Sequence, residues 1–179
     1  MYSPSRWVRS AILAVLAVSL TGCASTNVHS YLERGADLGR YHTYAWGRAD
    51  AMSTGDPRLD GNPFFEERLQ AAVEKQLATR GFEKTSATPG LLLHYHASIT
   101  QRVDAYSAEL KYGYCNECRP YVYDAGTIVI DFVDAHSSQL VWRGWAEDRF
   151  EGAIDNQHIM ERQIDNAVER ILQRLPPRL

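Results

Sequence analysis

Residues 126–135 read GTIVIDFVDA and residues 140–150 read LVWRGWAEDRF, and these two stretches decide the fold. Residues 127–133 are a run of β-branched and aromatic residues, the types that pleated sheets favour. Residues 134–138 form a short, mostly polar stretch that predicts a turn. Residues 140–150 are then expected to form the antiparallel partner strand of the hairpin. We therefore expect a sheet built around this hairpin.

Two further stretches show the period of two that strands require. Residues 41–46 (YHTYAW) alternate and predict the first strand, and residues 91–100 (LLLHYHASIT) predict another. In the second stretch one face is expected to meet the core and comprises Leu91, Leu93, Tyr95, Ala97 and Ile99. The other face comprises Leu92, His94, His96 and Ser98.

Two amphipathic helices complete the predicted elements. The first opens at Asn62-Pro63, a capping residue followed by a proline tolerated at the first helical position, and ends at Gly81. The second is expected to begin near Asp155 or Asn156 and to stop at the two prolines 176 and 177. One apolar stripe runs along each helix.

Two amphipathic helices need one sheet face to cover, so the expected fold class is α+β. The architecture is a two-layer sandwich, with a mixed or antiparallel sheet of about five strands and both helices on one face. Residues 101–125 are expected to be irregular. We assign residues 1–22 to a removed signal peptide, 23–40 to a lipidated tether and 41–179 to a single domain.

The N-terminus has the pattern of an export signal. Arg6 and Arg9 precede an apolar run, residues 11–20, which is about half the ~20 residues that a membrane-spanning helix needs. Residues 20–23 (LTGC) then resemble the bacterial lipoprotein processing box. The pattern predicts cleavage before Cys23 and a membrane anchor through lipid, including palmitate, on that cysteine. An ordinary secretory signal that happens to end near a cysteine is the alternative.

Two features of the mature chain bear on location and partners. Ala24, rather than aspartate, follows Cys23, which by resemblance to Gram-negative sorting favours the outer membrane over inner-membrane retention. The net charge of −3 becomes more negative once two arginines leave with the signal, and no basic stripe remains for nucleic acid. We expect a periplasm-facing domain with a membrane partner, an envelope protein partner and no nucleic-acid partner.

Cys115 and Cys118 form a C-x-x-C unit in a chain that is expected to be exported. A structural disulfide is the favoured interpretation, because the periplasm is oxidising. A thioredoxin-like redox pair, half of a zinc site and free thiols are the alternatives. Arg119 stands where covalent haem attachment would require histidine, so that use is excluded.

His94 and His96 share one strand face, and His42 on the first strand could add a third metal donor. An exposed polar sheet face is the simpler interpretation of these weak candidates. Asp131 interrupts an apolar strand opposite Arg143, which predicts a structural ion pair across the hairpin. A catalytic acid would need a second carboxylate, with Asp134 and Asp148 as candidates.

Tyrosines surround the cysteine pair. They can cover the open sheet face or form a loop that binds a partner, because rigid aromatic rings give a large contact area at low entropic cost. The residues concerned are Tyr106, Tyr112, Tyr114, Tyr121 and Tyr123.

The series YHTYAW (41–46), Gly81-Phe82, LLLHY (91–95), GTIVIDFVDA (126–135) and LVWRG (140–144), followed by the closing helix and its two prolines, resembles a known family. It is similar to the bacterial envelope lipoproteins built on domain of unknown function 4136. The resemblance implies an anchored periplasmic domain and brings no catalytic residues or cofactor. In the loop before Gly126, where the family is rich in glycine and aromatic residues, this chain has CNEC (115–118).

These observations favour a non-enzymatic binding or scaffolding module without a cofactor. The rival hypothesis is a metal-dependent or thiol-redox envelope enzyme that uses His94 and His96 or Cys115 and Cys118.

Overall fold

The computed structural model describes residues 27–47, 57–60, 62–104, 121–150 and 152–177. Six strands and two α-helices follow one another along this part of the chain. The strands are β1 (Asn27–Leu32), β2 (Thr43–Trp46), β3 (Glu83–Lys84), β4 (Leu91–Asp104), β5 (Tyr121–Asp134) and β6 (Leu140–Arg149). The helices are α1 (Pro63–Thr79), between β2 and β3, and α2 (Gln157–Gln173), after β6.

The strands form one mixed sheet in the order β1-β6-β5-β4-β2-β3. The three long strands β4, β5 and β6 are antiparallel neighbours, and β1 adds antiparallel to β6. β2 lies parallel to both β4 and β3, which requires the crossover that α1 supplies. The sequence therefore predicted the α+β class correctly, and the sheet has six strands rather than about five.

Both helices pack on the same sheet face and close a single core. The alternation predicted for β4 is confirmed, since Leu91, Leu93 and Ala97 are buried while His94 and His96 lie on the opposite face. On β6, Trp142 is fully buried against Phe132, with ring centroids 5.0 Å apart. The core residues of the helices are Phe65, Leu69, Val73 and Leu77 from α1 and Met160, Ile164, Val168, Ile171 and Leu172 from α2.

The helix starts follow from local chemistry. The side chain of Asn62 accepts a hydrogen bond from the backbone N–H of Phe65, as the sequence predicted, and Pro63 opens α1. Asn156 accepts from the N–H groups of His158 and Ile159 at the start of α2. Gly81, with φ of +73°, supplies the left-handed residue that ends the first helix.

Two expectations about the chain between elements were wrong. Residues 27–32 lie inside the assigned tether yet form β1, so the folded domain begins by Asn27 rather than at residue 41. As an edge strand whose side chains are mostly exposed, with only Val28 packing against the core, β1 has no apolar alternation to reveal it.

Residues 101–125 were expected to be irregular, but 101–104 and 121–125 continue β4 and β5 as paired strands. This part of the hairpin is largely exposed, as the 61% exposure of Val103 and 50% of Val122 show. Without one buried face, a strand loses the alternating pattern by which it is recognised.

No helix in the described ranges is long and apolar enough to span a membrane. The predicted signal peptide (1–22), Cys23 and the C-x-x-C unit at Cys115 and Cys118 lie outside the described residues.

Candidate functional site

The sheet face opposite the helices is the candidate functional surface, and we call it the open face. Within the described residues it has no helix packed on it, and mainly polar and aromatic side chains cover it, exposed on β1 and half-buried on β6. Four adjacent strands contribute to the open face. Its principal residues are His29 and Tyr31 of β1, Arg143, Trp145 and Glu147 of β6, Val129 and Asp131 of β5, and His94, His96 and Arg102 of β4.

The centre of the open face is an ion pair between neighbouring strands. Arg143 Nε donates to Asp131 Oδ1 over 2.6 Å, and Nη2 donates to Oδ2 over 2.6 Å, the two-pronged geometry that guanidinium and carboxylate favour. Asp131 is only 9% exposed, and the hydrogen bonds raise the pKa of Arg143 despite its partial burial. The predicted pairing of these two residues is thus present.

Aromatic side chains flank this ion pair on the β1 side. The rings of His29 and Trp145 stack with centroids 5.4 Å apart at 25°. Tyr31, the cross-strand partner of Arg143, is 47% exposed. Flat rings of this kind, held on strands beside a fixed charge pair, present a rigid surface with both apolar area and hydrogen-bonding groups.

The two histidines of β4 lie on the other side of the ion pair. His94 is the cross-strand partner of Asp131, and its ring lies against Gly47, where a Cβ would come within 2.1 Å of His94 Cε1. His96 Nδ1 is buried and has no hydrogen-bond partner. His42 immediately precedes β2 and is exposed.

Within the described ranges, His42 does not form a metal site with His94 and His96. Among the described residues no group of three or more His, Cys, Asp or Glu side chains is arranged to hold a metal ion.

The carboxylate of Asp134 accepts several hydrogen bonds and lies away from the open face. It accepts hydrogen bonds from Tyr41 Oη at 2.6 Å, from Arg40 Nη2 at 3.3 Å, from the backbone N–H groups of His136 and Ser137, and from the Ser137 hydroxyl. The bond from Tyr41, together with those from Ser137 and His136, outweighs partial desolvation and holds the pKa of Asp134 well below its usual range. This carboxylate ties the segment before β2 to the β5–β6 turn. Asp148 is exposed, near the other end of β6.

Two of the five tyrosines assigned to a binding loop lie in strand β5 instead. Tyr121 begins that strand, and the ring of Tyr123 carries the guanidinium of Arg149 at 4.5 Å from its centroid, a cation–π geometry. Tyr106, Tyr112 and Tyr114 lie outside the described residues.

An apolar cavity of about 20 Å³ lies on the other side of the sheet, bordered by Phe65, Ile128 and Phe150. That volume holds about one water-sized sphere, so it does not accommodate an organic ligand.

Sequence reasoning paired Asp131 with Arg143 and placed His94 and His96 on one strand face, but it did not join the two pairs and missed the contribution of β1. His29 and Tyr31 join the open face only because β1 pairs with β6. The signal that could have extended this surface was Trp145, because alternation along residues 140–150 puts it on the same face as Arg143.

The fold defines a class of small α+β domain, a six-stranded mixed sheet with both helices on one face. The chain belongs to the family described as domain of unknown function (DUF4136), which it matches over residues 28–177. The family assignment drawn from the sequence is confirmed. No curated protein matches the chain.

Solved structures share the fold at low sequence identity. A PDZ domain protein from Parabacteroides distasonis ATCC 8503 superposes with a TM-score of 0.58 at 15% identity, covering 85% of this chain and 36% of that one. The chain thus spans about a third of that protein. A PelC dodecamer from Paraburkholderia phytofirmans has a TM-score of 0.51 at 10% identity, covering 87% of this chain and 100% of that one. At these identities the likeness concerns the fold alone.

Proposed function

We propose that this protein is a lipid-anchored envelope lipoprotein that faces the periplasm from the outer membrane and acts as a non-enzymatic binding or scaffolding module. The observation that carries the binding role is the open face, where the His29–Trp145 stack borders the Asp131–Arg143 pair. Contacts to a partner would bury ring area and use a guanidinium whose side chain is 43% exposed.

The anchor is supported by the basic residues, the apolar run and the LTGC tetrad at residues 20–23. Lipid on the cysteine sulfur and on the new amino terminus would supply the two or more chains that stable anchoring needs. The domain begins only four residues after Cys23, so the anchor would hold it close to the membrane.

The rival enzyme hypothesis has less support. Its metal version needs a third ligand beside His94 and His96, and no third His, Cys, Asp or Glu among the described residues is arranged with them to hold a metal ion. Its thiol version depends on Cys115 and Cys118, which lie outside the described residues.

The anchoring part of the proposal is tested with Cys23→Ser. In cells fed a fatty-acid analogue, the parent protein should be labelled and should fractionate with the outer membrane. The variant should carry no label and should leave the membrane fraction. A variant that stays in the membrane without label would contradict the proposal, because the apolar run would then be an uncleaved anchor.

The binding part is tested by placing a photo-crosslinking amino acid at Tyr31 in intact cells. A discrete adduct should form there and weaken when Trp145→Ala removes the neighbouring ring. The matched control is the same probe at Arg162, an exposed position of α2, which should give no such adduct. Equal adducts at both positions, or none at Tyr31, would refute a binding role for the open face.

A further inference from the structure

The direction of β1 determines which end of the domain is nearest to the anchor. Asn27 pairs with Glu147, Glu147 with Thr127, and Thr127 with Ser98, so these four residues form one row across four strands. β1 and β5 run in the same direction, because each is antiparallel to β6. The chain that precedes Asn27 therefore leaves the sheet at the same end as the residues that precede Thr127.

At that end the β4–β5 hairpin extends beyond the rest of the sheet. β6 pairs with β5 only as far as Ala125. β1 ends earlier still, because its first residue, Asn27, is level with Thr127 in the row of paired residues. Residues 101–104 and 121–124 remain as a two-stranded projection, which we call the hairpin arm. Val122 lies five residues beyond Thr127, or about 17 Å along the strand at ~3.3 Å per residue.

The chain between the lipid-bearing cysteine and the sheet is shorter than this projection. Cys23 is four residues before Asn27, and four residues can span at most about 14 Å when fully extended. If residues 23–26 simply continued the line of β1, Cys23 would be level with Tyr123. The backbone of Cys23 cannot then lie farther out along the strands than the end of the arm.

The arm carries an apolar pair at this end. Val103 and Val122 are cross-strand partners on one face of the arm, 61% and 50% exposed. Four large hydrophobic side chains are exposed in the described part of the chain, and these are two of them. The other face carries Tyr123, whose ring contacts the Arg149 guanidinium, a combination suited to a membrane–water boundary.

We propose that the hairpin arm rests on the lipid surface in which the protein is anchored, with Val103 and Val122 in contact with the acyl-chain boundary. The inference rests on the proposed lipid anchor at Cys23. The short connection places the arm at the bilayer, and the apolar pair is then removed from water by the lipid. Strand direction, chain length and the two most exposed large hydrophobic side chains, Val103 and Val122, point to the same end of the molecule.

The experiment uses the full lipidated protein, reconstituted into vesicles of phosphatidylethanolamine and phosphatidylglycerol with brominated acyl chains. Val122→Trp introduces a ring at the arm, and Val103→Trp is a second, independent probe. The fluorescence that each new tryptophan adds to that of the parent should lie at short wavelength, as expected in an apolar environment. Bromine on the acyl chains should quench it. The matched control is His136→Trp, exposed in the β5–β6 turn at the opposite end of β5, whose added emission should remain unquenched.

Flotation of the same samples separates the two proposals. Protein that does not float with the vesicles contradicts the lipid anchor itself. Protein that floats, yet shows no quenching at either Val103→Trp or Val122→Trp, overturns the arm contact and leaves the anchor standing. Quenching of the His136→Trp control as strong as at the arm would also overturn it, because the domain would then have no preferred end toward the lipid.

Discussion

Arg143 on β6 donates hydrogen bonds to both carboxylate oxygens of Asp131 on β5, with 2.6 Å between each pair of donor and acceptor atoms. The two side chains differ in exposure, 43% for Arg143 and 12% for Asp131. A guanidinium that loses its partner here can turn to water, whereas the carboxylate is left desolvated. This asymmetry has a measurable consequence for stability.

Removing the arginine should destabilise the domain more than removing the aspartate. Arg143→Ala leaves a buried charged acceptor unpaired and should lower the free energy of unfolding by about 2 kcal/mol. Asp131→Ala should cost about 1 kcal/mol, since Arg143 can be rehydrated and alanine is no worse than aspartate in a strand. Urea denaturation of the two single variants and the double variant measures both costs. Equal costs, or a larger cost for Asp131→Ala, would contradict this account of the pair.

The Asp134 network should make stability depend on pH. Because its folded pKa lies well below the unfolded value of about 4, the carboxylate stabilises the fold fully above that value. This stabilisation is lost as pH falls through the folded pKa. Asp134→Asn should therefore be less stable than the parent at pH 7, by about 1–3 kcal/mol. The difference should shrink steadily below about pH 4.

Urea midpoints of parent and variant between pH 7 and pH 2 test this dependence. Asp155→Asn, in an exposed position before α2, is the control and should track the parent at every pH. A difference between parent and Asp134→Asn that stays constant down to pH 2 would show that the charge of Asp134 is not what stabilises the turn.

Gly144 permits the close packing of β6 beneath α2. A Cβ there would lie 2.3 Å from Trp142 Cη2 and 2.6 Å from Ile171 Cγ2, both in the fully buried core. Gly144→Ala should therefore cost about 1–3 kcal/mol through overpacking. Gly90→Ala is the matched control, because its Cβ would meet nothing closer than 3.4 Å. In thermal unfolding, the melting temperature of Gly144→Ala should lie well below that of Gly90→Ala. Similar melting temperatures for the two variants would contradict this packing.

The cysteine pair is predicted to form a structural disulfide. Only two residues separate the cysteines, so closing this short ring removes little entropy from the unfolded chain. The bridge should therefore contribute on the order of 2 kcal/mol to the free energy of unfolding. The variant with both Cys115→Ser and Cys118→Ser should fold and show only a small fall in melting temperature. Thiol labelling of freshly isolated, denatured periplasmic protein should find neither cysteine free until reductant is added. Two reactive thiols before reduction would refute the structural bridge.

How far the sequence predicted the fold depends on burial. The β5–β6 hairpin, the core face of β4 and both helices were recognised because one face of each is buried, which imposes a period on the apolar residues. Strand β1 and the hairpin arm were missed because their side chains are mostly exposed on both faces, so no such period exists. The Asp131–Arg143 pair was predictable because both residues belong to one hairpin, where alternation sets the face.

The sequence by itself determined the family, the α+β class, the helix cap at Asn62, the start of the second helix to within one residue and the charge pair of the hairpin. Each of these depends on short-range chemistry or on periodicity within one element. Only the tertiary structure decided that His29 stacks on Trp145, that His94 lies opposite Asp131, and that the hairpin arm lies at the sheet end where β1 begins. Those relationships follow from strand order and direction, which are set by the packing of distant segments and leave no local pattern in the chain.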